Sequence, residues 1–580
     1  MQGLAHQIGT LMDQPNELSS RRKWMGLAVG ASLGTGLAAV AEARAAKQTV
    51  VPAKDLGVRT YNIRDFGAKG DGVTLDTAAV QAAIDACAKD QGGTVVVPAG
   101  VFVIGTIELK SNVTLFIAAA GKLLGSADGK QYHAADAIPL SGDSTLEDGN
   151  VGLIYAVKAE NITIEGTGTI DGQGAQFHSP ARGVAPPAGI SGSHRPYHLL
   201  FYRCKNLNIR DIFLYDSAYH SVRVIESSFV KADGLRIYNR VNGNNDGFHF
   251  ISCQYVAVSN CTVQSQDDAC ALFGSCKYVT ITNSSFSTRW SVFRFGGGQA
   301  ENIAVSNCII YQAYGCPIKI QGGPNSRFEN FIFSNLIMHR VTGPISIGVG
   351  GRRQQGPEVE GQTTPAPPVP PGSSGVARNI SFTGIRAAVV EPEQLPDLPM
   401  ASNFRPGELH SCIDLNAIGE GVLENITFDD VQITFPGGGS AEQAALRDVP
   451  QIAGEYFEIG VLPAYALYAR NVRALTLSNV RFGVSAPDLR PAVVFDHVED
   501  AAINGFGAEG NAEAESLLRF IDSRDVLLSA SRVLSPAAVF LQVEGAESGN
   551  ITVDGGDLSK ANEQVAFRTG ATKASVKLRA

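Results

Sequence analysis

Two adjacent carboxylates directly precede an apolar stretch of the sequence. Asp267 and Asp268 lie within QSQDDACALF, residues 264–273, and a third carboxylate, Asp246, precedes them by 21 and 22 residues. Because like charges raise each other's pKa and repel, folding alone gives no reason for the pair. If the three carboxylates meet in space, at least one keeps its proton near neutral pH. A protonated acid beside ionised neighbours is the arrangement that general acid–base cleavage of a glycosidic bond requires.

Short strand-like phrases recur along the chain and could bring these residues together. CQYVAVSNCTV begins at residue 253, CKYVTITNSSF at 276 and AENIAVSNCII at 300. Each phrase alternates apolar and polar residues around a polar turn. The turn residues Asn260, Asn283 and Asn307 follow one another at intervals of 23 and 24. A period of this length, in repeats made of strands alone, predicts an all-β fold, the parallel β-helix.

The repeat length places the carboxylates. One coil is about 22 residues here, and successive coils stack about 4.8 Å apart. Asp246 should therefore lie over the Asp267–Asp268 pair of the next coil, within the roughly 5–9.5 Å that separates acid and base in glycosidases. Two other uses of three acidic groups stay open, a calcium site and a solvated acidic patch.

The repeated small residues predict structural contacts. Asn260, Asn283 and Asn307 should form a ladder at one corner, with each amide bonded to the next. Cys253 and Cys276 should lie on adjacent coils, as buried free thiols or as a disulfide. The chain has nine cysteines, so at least one lacks a partner within the chain.

The N-terminal region predicts export. Arg21-Arg22 precede an apolar, Gly- and Ala-rich run that ends in Ala43-Arg44-Ala45. This order is typical of a signal peptide of the twin-arginine type, so residues 1–45 should be removed and the protein should be periplasmic or secreted in a bacterium. A membrane anchor is the alternative, although the run is short for a membrane span.

The rest of the chain, 46–580, is predicted to be a single β-helix domain. An amphipathic pattern predicts one helix over roughly 77–89, which would cap the N-terminal end of the solenoid. The Pro-rich segment 351–375 predicts an extended loop inserted between coils. A net charge of -9, without basic runs, argues against nucleic acid as a partner. We expect a monomer that has no membrane contact after signal removal.

The carboxylates lie in recognisable motifs. Asn244-Asn245-Asp246-Gly247 and Gln266-Asp267-Asp268 resemble the N-T-D and (G/Q)-D-D motifs of polygalacturonase-type glycoside hydrolases, family 28. The resemblance runs from FGAKGDG, which begins at residue 66, to GCPIKIQGG at 315–323. It implies a right-handed parallel β-helix that hydrolyses pectic polysaccharides with inversion, without a metal or other cofactor.

The resemblance also implies roles for single residues. Asp267 would be the general acid, and Asp246 and Asp268 would hold and deprotonate the attacking water. Asn244 would orient the substrate or a neighbouring carboxylate. Lys319 matches the lysine of the family's R-I-K motif, which grips a uronate carboxylate.

Two departures from the family pattern affect the sugar that is bound. The family's G-H-G histidine should fall near residues 289–291, yet no histidine occurs from 269 to 300, and Pro317 replaces the R-I-K arginine. Arg294 follows Asp268 and precedes Lys319 by intervals close to one coil, so it could restore a positive charge on their face or lie on the solvated outside. His220 and His249 could line the cleft or could be structural.

The sequence therefore predicts an inverting, exo-acting hydrolase of pectic or related uronic-acid-containing polysaccharides and oligosaccharides. A β-helix polysaccharide lyase would instead cleave uronates by elimination, usually with calcium. A non-catalytic carbohydrate-binding or structural β-helix would need no acid pair. Both alternatives stay open at the level of sequence.

Overall fold

Short parallel strands make up most of the computed structural model of this chain, which describes residues 59–135, 137–138, 150–177, 195–351, 375–395, 397 and 408–579. The predicted export signal, 1–45, and nearly all of the Pro-rich segment, 351–375, lie outside the described residues. Both therefore stay predictions.

The strands, β1 to β42, are numbered along the chain. Strands β1 to β14 are Thr60–Asn62, Asp71–Leu75, Gly93–Val97, Gly100–Ile104, Ile107–Glu108, Val113–Ile117, Gly121–Gly125, Gly152–Val157, Glu160–Gly166, Thr169–Asp171, Tyr197–Tyr202, Lys205–Arg210, Phe213–Tyr215 and Val222–Ile225. Strands β15 to β28 are Ser228–Asp233, Arg236–Asn239, Phe248–Ile251, Gln254–Ser259, Thr262–Ser265, Cys270–Phe273, Lys277–Thr282, Ser285–Thr288, Phe293–Gly296, Gln299–Ala313, Ile318–Gly322, Arg327–Val341, Ile345–Val349 and Val376–Val389. Strands β29 to β42 are Ile413–Ala417, Val422–Phe435, Leu467–Arg470, Val472–Ser478, Arg481–Val484, Val493–Asp496, Glu499–Asn504, Gly507–Ala508, Leu518–Ile521, Arg524–Val533, Ala537–Glu544, Gly549–Asp557, Ala561–Arg568 and Val576–Arg579.

These strands wind into a right-handed parallel β-helix, which confirms the predicted all-β fold. A typical coil has three strands, such as β17, β18 and β19, and each pairs in parallel with its equivalent on the next coil. One strand per coil forms a fifteen-stranded sheet in the order β5-β8-β11-β14-β17-β20-β23-β25-β27-β29-β31-β34-β37-β39-β41. The other faces join into a second sheet because long strands such as β24 and β26 run across the corner between them.

The fifteen-stranded sheet separates an apolar core from a polar outer face. Phe248 and Phe250 of β17 are buried in the core. Because side chains alternate along a strand, His249 lies on the opposite face. Its neighbours in register are Arg223 on β14 and Ala271 on β20, and Ala271 is followed by Arg294 on β23 and Lys319 on β25. We call the line of Arg223, His249, Ala271, Arg294 and Lys319 the polar row.

The N-terminal helix lies where the sequence predicts it. Helix α1, Thr77–Lys89, buries Val80, Ala83, Ile84 and Cys87 against the first coils. Two shorter helices, α2, Ala441–Ala445, and α3, Tyr456–Ile459, follow β30. Short 3-10 helices are at Ile63–Phe66, Gly129–Gln131, Gly174–Gln176 and Lys573–Ser575. No helix among the described residues is long and apolar enough to span a bilayer.

The asparagine corner exists, but its amide bonds differ from the prediction. Asn260, Asn283 and Asn307 all have a left-handed φ, between 51° and 57°. The Asn260 amide donates to Asp233 at 2.8 Å rather than to Asn283. Continuous amide ladders instead join Asn112–Asn161–Asn206 and Asn302–Asn330–Asn379–Asn425. Repeat spacing identifies the corner, whereas the local side-chain geometry decides which amides meet.

The cysteines are buried free thiols. All nine belong to the described residues, and none forms a disulfide. Burial raises the pKa of the Cys253 thiol well above its ordinary value, and the neighbouring Cys276 raises it further. The predicted thiol stack is therefore correct, and the disulfide alternative is wrong. Thiols with a raised pKa are poor nucleophiles at neutral pH, which is consistent with a packing role.

Candidate active site

The three carboxylates lie in turns that precede strands of the fifteen-stranded sheet. Asp246 lies between β16 and β17, and Asp267 and Asp268 lie between β19 and β20. The backbone N–H of Gly247 donates to the Asp268 carbonyl at 2.9 Å, and the Asp267 N–H donates to the Asn245 carbonyl at 3.3 Å. Because Phe248 pairs in register with Cys270, Asp246 and Asp268 occupy equivalent positions on adjacent coils. This is the one-coil relation that the sequence predicts.

Backbone and hydroxyl contacts fix the Asp267–Asp268 turn. The hydroxyls of Ser265 and Thr288 donate to the Asp267 carbonyl at 2.7 and 2.5 Å. The Asp267 carboxylate accepts the Asp268 backbone N–H at 2.8 Å, and the Asp268 carboxylate accepts the Ser291 N–H at 3.3 Å. Side chains that are held in this way pre-organise a site for chemistry.

Asn245 fixes the turn that carries Asp246. Its amide oxygen accepts the backbone N–H groups of Val241 and Asn242 at 3.0 and 2.6 Å. Its amide nitrogen donates to the carbonyls of Ser217 and Tyr219 at 3.1 and 2.8 Å. Asn245 is fully buried. It corresponds to the threonine of the family motif, and no pattern in the sequence predicts this clamp.

The environment raises the pKa of all three carboxyl groups. Burial is the main cause for Asp246, and the charges of Asp267 and Asp268 raise its pKa further, to well above the ordinary value. Burial also raises the pKa of Asp267. Burial and the charge of Asp267 raise the pKa of Asp268 to about 7. The cluster therefore holds a proton near neutral pH, as a general acid needs.

His220 and His249 contact Asp246. The Nδ1 atom of His249 lies 2.8 Å from Oδ2 of Asp246, and the Nε2 atom of His220 lies 3.6 Å from the same oxygen. The two rings stack with centroids 4.4 Å apart. Burial lowers the pKa of both imidazoles well below the ordinary value, so they are neutral. Of the described residues, these three also form a group whose donor atoms, within 4.8 Å of one another, could hold a metal ion.

Asn244 lies at the exposed edge of the same turn. It has a left-handed φ of 55°, and its amide oxygen accepts from Arg195 at 3.4 Å. Its position leaves the side chain within reach of solvent and of a ligand in the cleft.

Arg294 and Lys319 lie on the outer face of the fifteen-stranded sheet, the face next to the turns that carry Asp246, Asp267 and Asp268. They are register partners on β23 and β25, and both side chains are buried, so the predicted alternative of a solvated outer face is wrong for Arg294. Lys319 forms a buried ion pair with Glu455. The Arg294 guanidinium lies 3.8 Å from the same carboxylate and donates to the Gln321 amide oxygen at 2.9 Å. A carboxylate of this chain therefore occupies the position in which the sequence predicts a substrate uronate.

Glu455 belongs to a segment that sequence reasoning did not single out. We call residues 449–459 the covering segment, because they lie against the outer face of the fifteen-stranded sheet. The Gln321 amide donates to the Gly454 carbonyl at 2.5 Å, and the Asn416 amide donates to the Ile452 carbonyl at 2.9 Å. The Tyr456 hydroxyl donates to the Cys412 carbonyl at 2.6 Å. No sequence periodicity signals these contacts, because Glu455 lies 136 residues after Lys319.

Close approach of this segment depends on a glycine. At Gly343, a Cβ atom would lie 2.2 Å from the Tyr456 ring. The lack of a side chain there lets the tyrosine pack directly on the turn before β27. A single glycine in a turn is too common a feature to indicate such a contact from the sequence.

Two aromatic rings lie beside the ion pair. The Lys319 ammonium lies 4.6 Å from the centroid of the Trp290 ring, and the Phe457 ring lies 6.0 Å from Trp290. Both rings are half-buried. Next to them, Arg289 lies 3.6 Å from Glu408. Trp290 stands in the stretch where the family histidine is missing.

Clustered carboxylates of raised pKa, set along one face of a parallel β-helix, are an arrangement suited to acid–base cleavage of glycosidic bonds. Comparison with known families agrees. Residues 87–360 match the family described as "Glycosyl hydrolases family 28". This match includes the Asp246 and Asp267–Asp268 motifs and confirms the resemblance drawn from them.

Individual relatives cover parts of the chain. A "Probable polygalacturonase" of Vitis vinifera is 31% identical over 217 residues, which cover 36% of this chain and 43% of the relative. The "Exo-poly-alpha-D-galacturonosidase" of Dickeya chrysanthemi is 31% identical over 254 residues, which cover 36% of this chain and 41% of the relative. The chain thus spans less than half the length of these two relatives.

A solved structure supports the fold. The tailspike protein of an E. coli bacteriophage, in complex with a pentasaccharide, superposes with a TM-score of 0.52 at 14% identity. The match covers 90% of this chain and 80% of the tailspike chain. At this identity, the similarity is one of fold.

Proposed function

We propose that the protein hydrolyses O-glycosidic bonds in pectic or related uronic-acid-containing polysaccharides and oligosaccharides, by an inverting acid–base mechanism and in exo fashion. The observation that carries the proposal is the meeting of Asp246, Asp267 and Asp268 on adjacent coils, at the motif positions of a family 28 domain. The names of the relatives point to galacturonan as the type of substrate.

The three carboxylates have different roles in the proposed reaction. Asp267 donates its proton to the leaving glycosidic oxygen. Asp246 and Asp268 hold a water molecule and remove its proton as it attacks the anomeric carbon from the opposite face. The neutral imidazoles of His220 and His249 orient Asp246, since both have a ring nitrogen next to its Oδ2 atom. The substrate would lie over the turns that carry the three carboxylates, beside the exposed Asn244 and next to the buried contacts that Arg294 and Lys319 make with Glu455.

The covering segment favours exo action. It contacts the fifteen-stranded sheet from β25 to β31, through Gln321, Asn416 and Arg470, and so occupies the outer face just beyond Lys319. An endo-acting enzyme needs a groove that is open at both ends, so that a polymer can pass through. With one end filled, only a short piece of the chain fits beyond the scissile bond on that side.

We also propose that the mature protein is one domain, 46–580, that acts as a monomer in the periplasm or outside the cell. Support comes from the twin-arginine-like order of residues 20–45, and the net charge of -9 suits a carbohydrate rather than a nucleic-acid partner.

Product analysis tests the proposed reaction. Purified protein would be incubated with oligogalacturonides and with oligosaccharides of branched pectin, with and without a chelator, and the first products followed by NMR. We expect a product of inverted anomeric configuration, formed equally well with the chelator present. An unsaturated, ultraviolet-absorbing product whose formation needs a metal would identify a lyase instead. Binding without turnover that is unchanged in Asp267→Asn would identify a non-catalytic module.

A further inference from the structure

The ammonium group of Lys319 is enclosed by groups of this chain. Its side chain is buried, it forms an ion pair with Glu455, and the Trp290 ring covers it at 4.6 Å. Lys319 and Glu455 also lie close enough to act electrostatically on Asp267 and Asp268, with opposite signs. The pair therefore lies within electrostatic range of Asp267 and Asp268.

Glu455 is fixed in place by the covering segment. Its backbone N–H donates to the Glu458 carboxylate at 2.7 Å, and its carbonyl accepts the N–H groups of Glu458 and Ile459 at 2.9 and 3.1 Å. The flanking Gly454 and Tyr456 are tied to strands of the sheet. Because loss of one partner of a buried ion pair leaves an uncompensated charge, an incoming ligand cannot displace Glu455 from Lys319 at little cost.

We propose that Glu455 substitutes for a substrate carboxylate, so that the sugar unit bound beside Lys319 and Asp267 is uncharged. It would be a neutral sugar or a uronate whose carboxyl group is esterified. This inference rests on the proposed glycoside hydrolase function and specifies its substrate at one position. Uronates remain acceptable at the other positions of the substrate.

The charges near Lys319 and the apolar surface beside it both favour an uncharged sugar unit at this position. A free uronate at this position would find Lys319 already paired with Glu455 and would face the carboxylates of Glu455 and of the Asp246, Asp267 and Asp268 cluster. Like charges brought together in a buried site are strongly disfavoured. The half-buried rings of Trp290 and Phe457 instead offer apolar surface, which suits the C–H face of a sugar ring or a methyl ester.

The test compares two substrates that differ only in charge, oligogalacturonides with free carboxyl groups and the same oligomers with methyl esters. We expect kcat/KM of the unaltered protein to be at least ~10-fold higher on the ester, the size of effect that one unpaired charge produces. In Glu455→Gln, the cations of Lys319 and Arg294 become available to the substrate. The preference should then shift toward the free acid by at least ~10-fold.

Glu544→Gln is the matched control. Glu544 is also a buried carboxylate, paired with Arg447 at 2.8 Å, but it lies on β39, six strands beyond β25 in the sheet order. At about 4.8 Å per coil, this is about 29 Å away. The control should keep the preference of the unaltered protein, which separates a local charge effect from a general loss of a buried acid.

A double variant covers the case in which Glu455→Gln folds poorly. Lys319→Met combined with Glu455→Gln removes one charge of each sign and leaves the net charge of the site unchanged, so the preference for the ester should shift less than in Glu455→Gln. A preference of the unaltered protein for the free acid, or an unchanged ratio of the two kcat/KM values in well-folded Glu455→Gln, would overturn the inference.

Failure of the unaltered protein to cleave any glycan would overturn the proposed function instead. In that case calorimetry still decides the charge question: galacturonate should bind Glu455→Gln more tightly than the unaltered protein, and equal binding to both would overturn it.

Discussion

At the scale of single residues, the site combines buried carboxyl groups with neutral imidazoles. Burial and mutual repulsion keep a proton within the cluster of Asp246, Asp267 and Asp268 near neutral pH. The same burial keeps His220 and His249 uncharged beside Asp246. Acid and base functions therefore arise from a shared environment rather than from residue type alone.

Asp267→Asn should reduce turnover by at least ~10²-fold, because the amide keeps the shape of the side chain but cannot donate the proton to the leaving oxygen. The backbone contacts that hold the turn go to the Asp267 carbonyl, so the melting temperature should change little. Steady-state kinetics on the best substrate, with a thermal melt as control, measure both. A variant with near-normal turnover would exclude Asp267 as the general acid.

Asp268 should make stability depend on pH. Its pKa is about 7 in the folded protein, above the ordinary value of 3.8, so the folded state binds more protons than the unfolded state between these values. Its favourable contribution is complete below about pH 4 and is lost as pH rises through about 7. Asp268→Asn does not titrate, so it should equal the unaltered protein in stability near pH 4 and exceed it by a few kcal/mol above pH 7.

Denaturant unfolding of the two proteins at pH 4, 6 and 8 measures this difference. A constant gap across the three pH values would mean that Asp268 does not carry the raised pKa. The variant should also lose activity, since stability gained at a catalytic position commonly costs function.

At the scale of elements, the coil corner and the turns before the fifteen-stranded sheet have different tasks. The corner fixes the register of each coil through residues with a left-handed φ and through amide ladders. Correct register on adjacent coils sets Asp246 beside Asp268. The turns can therefore carry buried carboxyl groups, because the strands on either side are held independently.

Asn379 provides a test of the corner. Its amide donates to Asn330 at 3.0 Å, its amide oxygen accepts from Asn425 at 2.9 Å, and its φ is 57°. Asn379→Ala loses both bonds and replaces asparagine, which tolerates the left-handed region, with alanine, which tolerates it less well, and this should cost about 1–2 kcal/mol. Asn379→Gly loses the same bonds without the backbone strain, so it should be less destabilised. Denaturant midpoints compare the three proteins, and an alanine variant as stable as the glycine variant would argue against strain at this corner.

At the scale of the whole molecule, the solenoid gives a long outer face, and the covering segment limits how much of it a polymer can use. Contacts from Val449 to Tyr456 hold that segment over β25 to β31. The site is consequently assembled from coils at residues 220–320 and from a segment that returns much later in the chain, with Glu455 placed 136 residues after Lys319.

Unsubstituted polygalacturonate should be a poor endo substrate. The filled end of the groove prevents a polymer from threading past Lys319, and the Glu455 carboxylate already pairs with Lys319 and lies 3.8 Å from Arg294. Viscometry should therefore show a slow fall relative to the release of reducing ends, and chromatography should show one short product. A reducing-end label on the oligosaccharide identifies the end that is shortened. A rapid viscosity drop with a ladder of oligogalacturonides would show that the groove is open.

The sequence by itself determined the features that repeat locally. Strand alternation, the spacing of Asn260, Asn283 and Asn307, and the matching interval from Asp246 to Asp268 define coil length, and coil length defines which residues are neighbours. The amphipathic pattern of the capping helix is also local, whereas burial in the structure decided between the alternatives left open for the cysteines and for Arg294. The motif residues then indicate the chemistry.

Only the tertiary structure decided what depends on non-periodic contacts. The pairing of Lys319 with Glu455, the stacking of His220 and His249 against Asp246 and the clamp formed by Asn245 arise where turns and an inserted segment pack on the regular coils. Loop conformations follow from packing against the sheet rather than from a repeat. The spacing of residues along the chain therefore does not predict them. For this reason the reaction can be inferred from the sequence, whereas the charge of the sugar beside the acid depends on where residue 455 is placed.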